Sequence, residues 1–366
     1  MKKLLTALVL VGTSLAAADH ATAAPRGTYI ERPARFDDVP LDPQGGALVL
    51  YLNGGGETYT RGGDNAIQNT STILYGGDVA VANIPPFDGT AEEWEYLVDC
   101  VRYQYARFNI VVTDQDPGNV NQIEASVGGS PEDAGMGSTT GGVAPYTCSP
   151  LGSSVVFNFS ESYNDMDQLC FTIAQESAHA LSLDHEFDCN DPMTYLNGCG
   201  FKTFQDENIL CGRNEVEACG CGRGSRQNSV TMLGNFLGLA SDQANPTVSV
   251  SSPSNGGYAA VAQDVVASVN DDRAIERVEW WLDGTKKQEQ RFGPYAWKLP
   301  ATLDLGAHSL EVKVWDIAGK TATASVAFTL TVDGQAPECE GPEDCAEDEV
   351  CYQLQCWPDD IERLPL

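Results

Sequence analysis

Two histidines, a glutamate and a glutamine fall within eleven consecutive residues, Gln175-Glu176-Ser177-Ala178-His179-Ala180-Leu181-Ser182-Leu183-Asp184-His185. With this stretch helical to about residue 181, Gln175 and His179 stand one turn apart and leave the same face, so both can converge on one ion. Glu176 sits beside them. A carboxylate there can take a proton from a metal-activated water and hand it to a leaving amine, while the ion polarises the carbonyl under attack. His185 reaches the same ion only if the chain turns back after residue 181, and Ser182 stands where that turn falls. A positive φ at Ser182 carries a steric cost that glycine avoids. Of the four histidines in the chain, His20 falls in the N-terminal leader and His308 far downstream, which leaves His179 and His185. The third protein ligand is then not an imidazole. Gln175 offers an amide oxygen, a neutral and weaker donor.

The stretch matches the pattern H-E-x-x-H-x-x-G-x-x-H at Glu176, His179 and His185 and departs from it at Gln175 and Ser182. Met193 follows within Asp191-Pro192-Met193-Thr194-Tyr195. On these residues the chain resembles the metzincin zinc metallopeptidases, in their matrixin-like branch, with Gln175 in place of the first zinc-binding histidine. The resemblance implies a catalytic Zn2+ held by three side chains, Met193 packed beneath it, and a cleft that takes a protein or peptide substrate in extended form. It also implies Tyr195 beside the zinc, where it steadies the oxyanion or compensates as a phenolate for the weaker ligand. The departure at Gln175 leaves a second reading open, a catalytically degenerate metzincin-like protein acting as an extracellular binding or adhesion module. An active peptidase loses activity to chelators, whereas a binding module keeps its affinity without metal. Glu176 serves chemistry more than fold, which favours the enzyme.

A sheet and a second helix must position this stretch. Ala47 to Asn53 is an apolar run of buried-strand type, ahead of Gly54-Gly55-Gly56. Glu92 to Phe108 is helical, with Trp94, Leu97, Val101, Tyr105 and Phe108 recurring at three- and four-residue steps. Residues 109–113, 123–127 and 154–159 read as strands and 165–181 as the site helix. Gly142 to Thr147 is expected at the sheet edge, where an extended substrate can add as a strand. The expected fold is an α+β zincin-like domain, a twisted mixed sheet with two long helices, over residues 46–242. Residues 25–45, rich in Pro, Asp and Arg, form an extended lead-in with no cysteine.

Met1-Lys2-Lys3, the apolar run Leu4 to Ala18 and Ala21-Thr22-Ala23 give a secretory signal peptide over residues 1–23. No later run is long and apolar enough to span a membrane. The mature chain is expected outside the cytoplasm. A formal net charge of −31 argues against nucleic acid and anionic membrane surfaces as partners. All twelve cysteines follow the leader, eight of them before residue 222 and four after 338, and in an exported chain they read as disulfides. A structural zinc at Cys211, Cys219 and Cys221 is the lesser alternative. Asp114, Asp116 and Asn119 alternate oxygens as Ca2+ ligands do, although an ordinary acidic turn is the simpler account.

From residue 245 to 334 short alternating runs recur, such as Val278 to Leu282 and His308 to Trp315, each followed by an Asp-containing turn. This is a β-sandwich pattern that resembles bacterial Ig-like domains. Core packing is expected for most of Trp280, Trp281 and Trp315, with carbohydrate binding as the alternative. Residues 337–366 form a small Cys-rich tail that must depend on its bridges.

Overall fold

The computed structural model describes residues 26–358 apart from 36, 43–45, 340 and 354, so the expected signal peptide lies outside the described residues. The first domain carries a six-stranded sheet built from β1 (Arg26–Glu31), β2 (Leu48–Asn53), β3 (Ile110–Thr113), β4 (Gln122–Val127), β5 (Thr140–Tyr146) and β6 (Ser154–Asn158). Their order is β1-β5-β6-β4-β2-β3. Strands β3, β2, β4 and β6 run parallel, β5 pairs antiparallel with β6, and β1 pairs parallel with β5. The central strands β4 and β6 are buried along their whole length, as parallel strands covered on both faces require.

Two fifteen-residue helices, α1 (Ala91–Tyr105) and α2 (Met166–Ala180), are joined to one another by the Cys100–Cys170 disulfide. Helix α1 starts at a capping box in which the Glu93 amide donates to Thr90 Oγ1 and the Thr90 amide to Glu93 Oε2, so two otherwise unpaired donors are satisfied. It buries Leu97, Val98, Val101 and Tyr105, and ends three residues before the periodicity does. Phe108 is still buried, beyond the helix end. Leu50, Leu97, Phe108, Ile123, Ile173 and Met193 belong to one core, where a fully buried Leu or Phe side chain contributes about 2 kcal/mol. A third helix, α3 (Ser229–Leu237), follows Cys221, the last cysteine of this domain.

Two expectations need correction here. The strand expected at the sheet edge, β5, has β1 paired along its outer side. The lead-in therefore supplies a strand rather than a free extended segment, which a sequence without periodicity did not reveal. Cys211, Cys219 and Cys221 hold no ion between them, because they close the Cys211–Cys219 and Cys148–Cys221 disulfides.

The second domain is a sandwich. One sheet holds β7 (Thr247–Ser252), β9 (Asp264–Asn270) and β12 (Ala296–Lys298). The other holds β8 (Gly257–Ala260), β14 (Thr321–Thr331), β13 (Gly306–Asp316), β10 (Ile275–Leu282) and β11 (Thr285–Gln290) in that order. Trp280 is fully buried between them. Trp281 and Trp315 are instead half-buried, with the Lys313 ammonium 4.0 Å and the Arg277 guanidinium 3.8 Å from their ring centres, so core packing accounts for one of the three. Tyr103 of α1 donates to Glu276 of β10 at 2.7 Å, and Phe292 packs against the first domain's core. A hairpin, β15 (Glu349–Tyr352) and β16 (Gln355–Pro358), is held by Cys339–Cys351 and Cys345–Cys356. Among the described residues no helix is long and apolar enough to cross a membrane.

Candidate functional site

Helix α2 is buried from Leu169 to Ala180, polar residues included. Gln175 is 3% exposed and Glu176, Ser177 and His179 not at all. A helix that buries polar groups on this scale needs partners for them. Ser177 donates to the Ile173 carbonyl and Gln175 Nε2 to the Pro192 carbonyl at 3.0 Å. His179 Nδ1 lies 2.8 Å from the Leu183 carbonyl, which can only accept, so Nδ1 carries the hydrogen and Nε2 keeps its lone pair. Both oxygens of Glu176, Nε2 of His179 and both ring nitrogens of His185 are buried with no hydrogen-bond partner among the described residues.

The chain turns back where expected. Helix α2 ends at Ala180 and Ser182 takes φ 74°. Its hydroxyl donates to the Thr147 carbonyl at 2.6 Å and receives the Arg223 guanidinium, which also donates to the Ser182 carbonyl. The turn brings the His185 ring to 4.5 Å from that of His179, centre to centre, and Tyr195 to 4.6 Å from His185. Met193 is fully buried in the core. The Asp191 carboxylate accepts from its amide, and the Glu186 amide donates to its carbonyl at 2.7 Å, which clamps the Met193 turn to the residue after His185. The passage from 211 to 229 fixes the other side: Gln227 accepts from the Asp184 amide and donates to the Asp184 carbonyl, and Gly220 donates to Asp184 Oδ2.

Electrostatics follow burial. Burial, with His185 alongside, pushes His179 well below the ordinary imidazole value, and burial lowers His185 as well, so both rings are neutral and suited to donate to a metal. Burial pushes Glu176 well above the usual carboxylate range and raises Tyr195 too, which favours the neutral phenol over the phenolate. Asp184 is driven upward by burial, but hydrogen bonds from the His185 and Gly220 backbone amides outweigh this and hold it low.

The donor set can be tested against a zinc ion. Two neutral imidazoles and an amide oxygen suit Zn2+, if more weakly than three imidazoles, and the unpartnered nitrogens of two adjacent rings are what such an ion would satisfy. His308 is committed elsewhere, to Asp283 and the Asp304 carbonyl. The acidic turn at Asp114 to Asn119 forms an ordinary local bond, the Gly118 amide donating to Asp116 Oδ1 at 2.7 Å.

Strand β1 lies over these groups. A Cβ on Gly27 would stand 2.0 Å from Gln175 Oε1 and 2.1 Å from Glu176 Oε1. Tyr29 stacks 5.2 Å from His185 and 4.4 Å from Tyr146, meets His179 edge-on at 4.8 Å, and donates to Asp184 at 3.0 Å. Sequence reasoning missed Tyr29, Glu186, Asp191 and Gln227 as groups that shape the site. Nothing at their positions signals a partner far along the chain.

Residues 246–312 match the bacterial Ig domain family. Solved structures similar to this chain include the fibronectin(III)-like modules of Clostridium thermocellum CbhA, at 20% identity and a TM-score of 0.22 over 24% of this chain and 97% of that one. They also include the PKD1 domain of Vibrio anguillarum Epp, at 14% identity and a TM-score of 0.19 over 25% and 96%. The PKD1 domain of the Vibrio cholerae metalloprotease PrtV is similar at 14% identity and a TM-score of 0.17 over 24% and 98%. No curated protein matches this chain. A bacterial Ig domain and six disulfides fit an extracellular or surface protein.

Proposed function

We propose that the chain is an exported zinc-dependent endopeptidase of the matrixin-like metzincin type, with residues 46–242 as its peptidase domain and β1 holding it latent. The observation that carries this reading is the set of buried, unpartnered donors of Glu176, His179 and His185 under one N-terminal strand. Bound Zn2+ would polarise the scissile carbonyl and acidify water. The chain's own residues do the rest. The Leu183 carbonyl fixes the His179 tautomer and the Pro192 carbonyl orients the Gln175 amide, as outer hydrogen bonds do for metal ligands. Glu176 takes the proton from water and passes it to the leaving nitrogen. Tyr195, kept protonated, donates to the developing oxyanion. An extended protein or peptide substrate takes the place of β1 along the outer side of β5 by strand addition.

The test is metal content per chain on the mature protein and its Gln175→Ala and Glu176→Gln variants, with peptide hydrolysis followed on the same samples before and after removal of the chain through Glu31. About one zinc per chain is expected, lost with activity in Gln175→Ala. Glu176→Gln should keep the zinc and lose about 10²- to 10⁴-fold in hydrolysis. No zinc and no cleavage from a folded, trimmed protein would sink the enzyme reading. The amide at position 175 favours the second reading, a binding module whose peptide affinity chelators leave unchanged.

A further inference from the structure

The joint between the domains carries a feature separate from the candidate metallopeptidase site. Three carboxylates from three segments meet there: Asp242 from the connector between α3 and β7, Asp271 from the turn after β9, and Asp316 at the end of β13. One oxygen of each lies within 4.8 Å of the other two. Asp242 Oδ2, Asp271 Oδ1 and Asp316 Oδ2 are all buried without a hydrogen-bond partner among the described residues, and Asp316 is only 1% exposed. The remaining oxygens are spoken for. Asp316 Oδ1 accepts from the amides of Ala318 and Lys320, Asp271 Oδ2 from the Arg273 amide, and Asp242 Oδ1 from the Lys320 ammonium. Each carboxylate is thus fixed by one oxygen and leaves the other buried and unpartnered among the described residues.

Lys320 supplies one positive charge against three negative ones, and it also reaches the carbonyls of Asp242 and Ala244. Buried charge left uncompensated is costly. Burial, with Asp242, Asp316 and Asp272 alongside, raises Asp271 accordingly. Convergent carboxylate oxygens without nitrogen or sulfur are the donor set of a hard divalent cation. Irregular geometry from three separate segments suits Ca2+ better than Mg2+, which demands a near-ideal octahedron. We propose that Asp242, Asp271 and Asp316 form a Ca2+ site that clasps the interdomain connector to the β-sandwich. Asp272 works beside it, accepting from the amides of Gln243 and Ala244 to lay the connector in place. The cation then makes domain orientation, and resistance of the connector to proteolysis, dependent on external Ca2+.

The experiment uses the mature chain stripped of metal and kept in 1,10-phenanthroline, so that zinc plays no part. Thermal unfolding and cleavage within residues 238–247 are followed with and without Ca2+ at about ten times a Kd in the 10⁻⁴–10⁻³ M range of extracellular modules. The expected result is a rise of about 3 °C in Tm and slower cleavage of the connector, with Mg2+ at the same concentration much less effective. Asp271→Asn and Asp242→Asn should abolish both effects. Asp271→Asn is the cleaner variant because its partly exposed side chain leaves the Asp316 turn intact. A wild-type chain indifferent to Ca2+, or an equal Ca2+ response in Asp271→Asn, would overturn the proposal and leave Lys320 and a bound proton as the neutralising partners.

Discussion

The closeness of β1 to α2 gives Gly27→Ala a calculable effect. The new methyl would stand 2.0 Å from Gln175 Oε1 and 2.1 Å from Glu176 Oε1, about 1 Å inside any real contact. Neither side chain can retreat, since Glu176 is wholly buried and Gln175 is tied to the Pro192 carbonyl. Relief comes from β1, which is anchored on one side only, by its pairing with β5. Overpacking of this kind costs about 1–3 kcal/mol, which corresponds to a ~5- to 150-fold rise in the population with β1 lifted. Limited proteolysis of bonds within residues 26–32 follows that population directly when opening is fast, and peptide hydrolysis by the zinc-loaded chain is measured alongside. Both should rise by the same factor until the lifted form predominates. Tyr29→Ala, which removes the ring stacked on His185 and the hydrogen bond to Asp184, should act in the same direction. Unchanged nicking in a chain of wild-type stability would refute the placement of β1 over the site. Faster nicking with no gain in hydrolysis would refute the peptidase reading alone.

Two further outcomes test the scaffold. The Cys100–Cys170 bridge spans 70 residues, and opening it with Cys100→Ala and Cys170→Ala should cost about 4 kcal/mol by chain entropy, a fall of roughly 10 °C in Tm; a loss under about 1 kcal/mol would show that the two helices hold each other by packing. Lys202 is buried, with its ammonium on the Leu196 carbonyl, and burial lowers its pKa to about 8 from 10.5, Asp191 pulling the other way. Its contribution to stability is therefore fully present above about pH 10.5 and is lost as pH falls through 8. Melts at pH ~7 and ~10 should show the wild type gaining on Lys202→Met with rising pH by up to about 3 kcal/mol; a constant difference would refute the lowered pKa.

What the sequence discloses about this protein is what local periodicity and capping control. The strand at Leu48–Asn53 and the helices Ala91–Tyr105 and Met166–Ala180 fall where apolar spacing puts them, within a few residues. So do the strands at Ile110–Thr113, Gln122–Val127 and Ser154–Asn158. The features that escaped notice depend on pairing across long separations. Strand β1 reaches β5 across more than a hundred residues, and its Arg-Gly-Thr-Tyr-Ile-Glu run carries too little apolar alternation to announce a strand. Gln227 meets Asp184 across 43 residues. The three aspartates at the domain joint come from segments up to 74 residues apart in the chain, each of them an ordinary turn residue until the fold unites them.

Ser182 shows how a departure from a sequence pattern can be informative. A glycine would take φ 74° without penalty, whereas a residue with a Cβ pays about 1–2 kcal/mol. The chain offsets this with bonds that glycine cannot make, one from the Ser182 hydroxyl to the Thr147 carbonyl and one to it from Arg223, each worth about 1 kcal/mol. Arg223 in turn donates to the Cys148 carbonyl and follows Cys221 of the Cys148–Cys221 bridge. Replacing Ser182 with glycine would therefore relieve the backbone but strand the Thr147 carbonyl and leave the Arg223 guanidinium only the carbonyls of residues 182 and 148. A strained turn persists only where surrounding structure over-determines it, and here the restraint comes from a disulfide, a half-buried arginine contact and the end of β5 acting together. The conformation they hold is the one that returns His185 to His179.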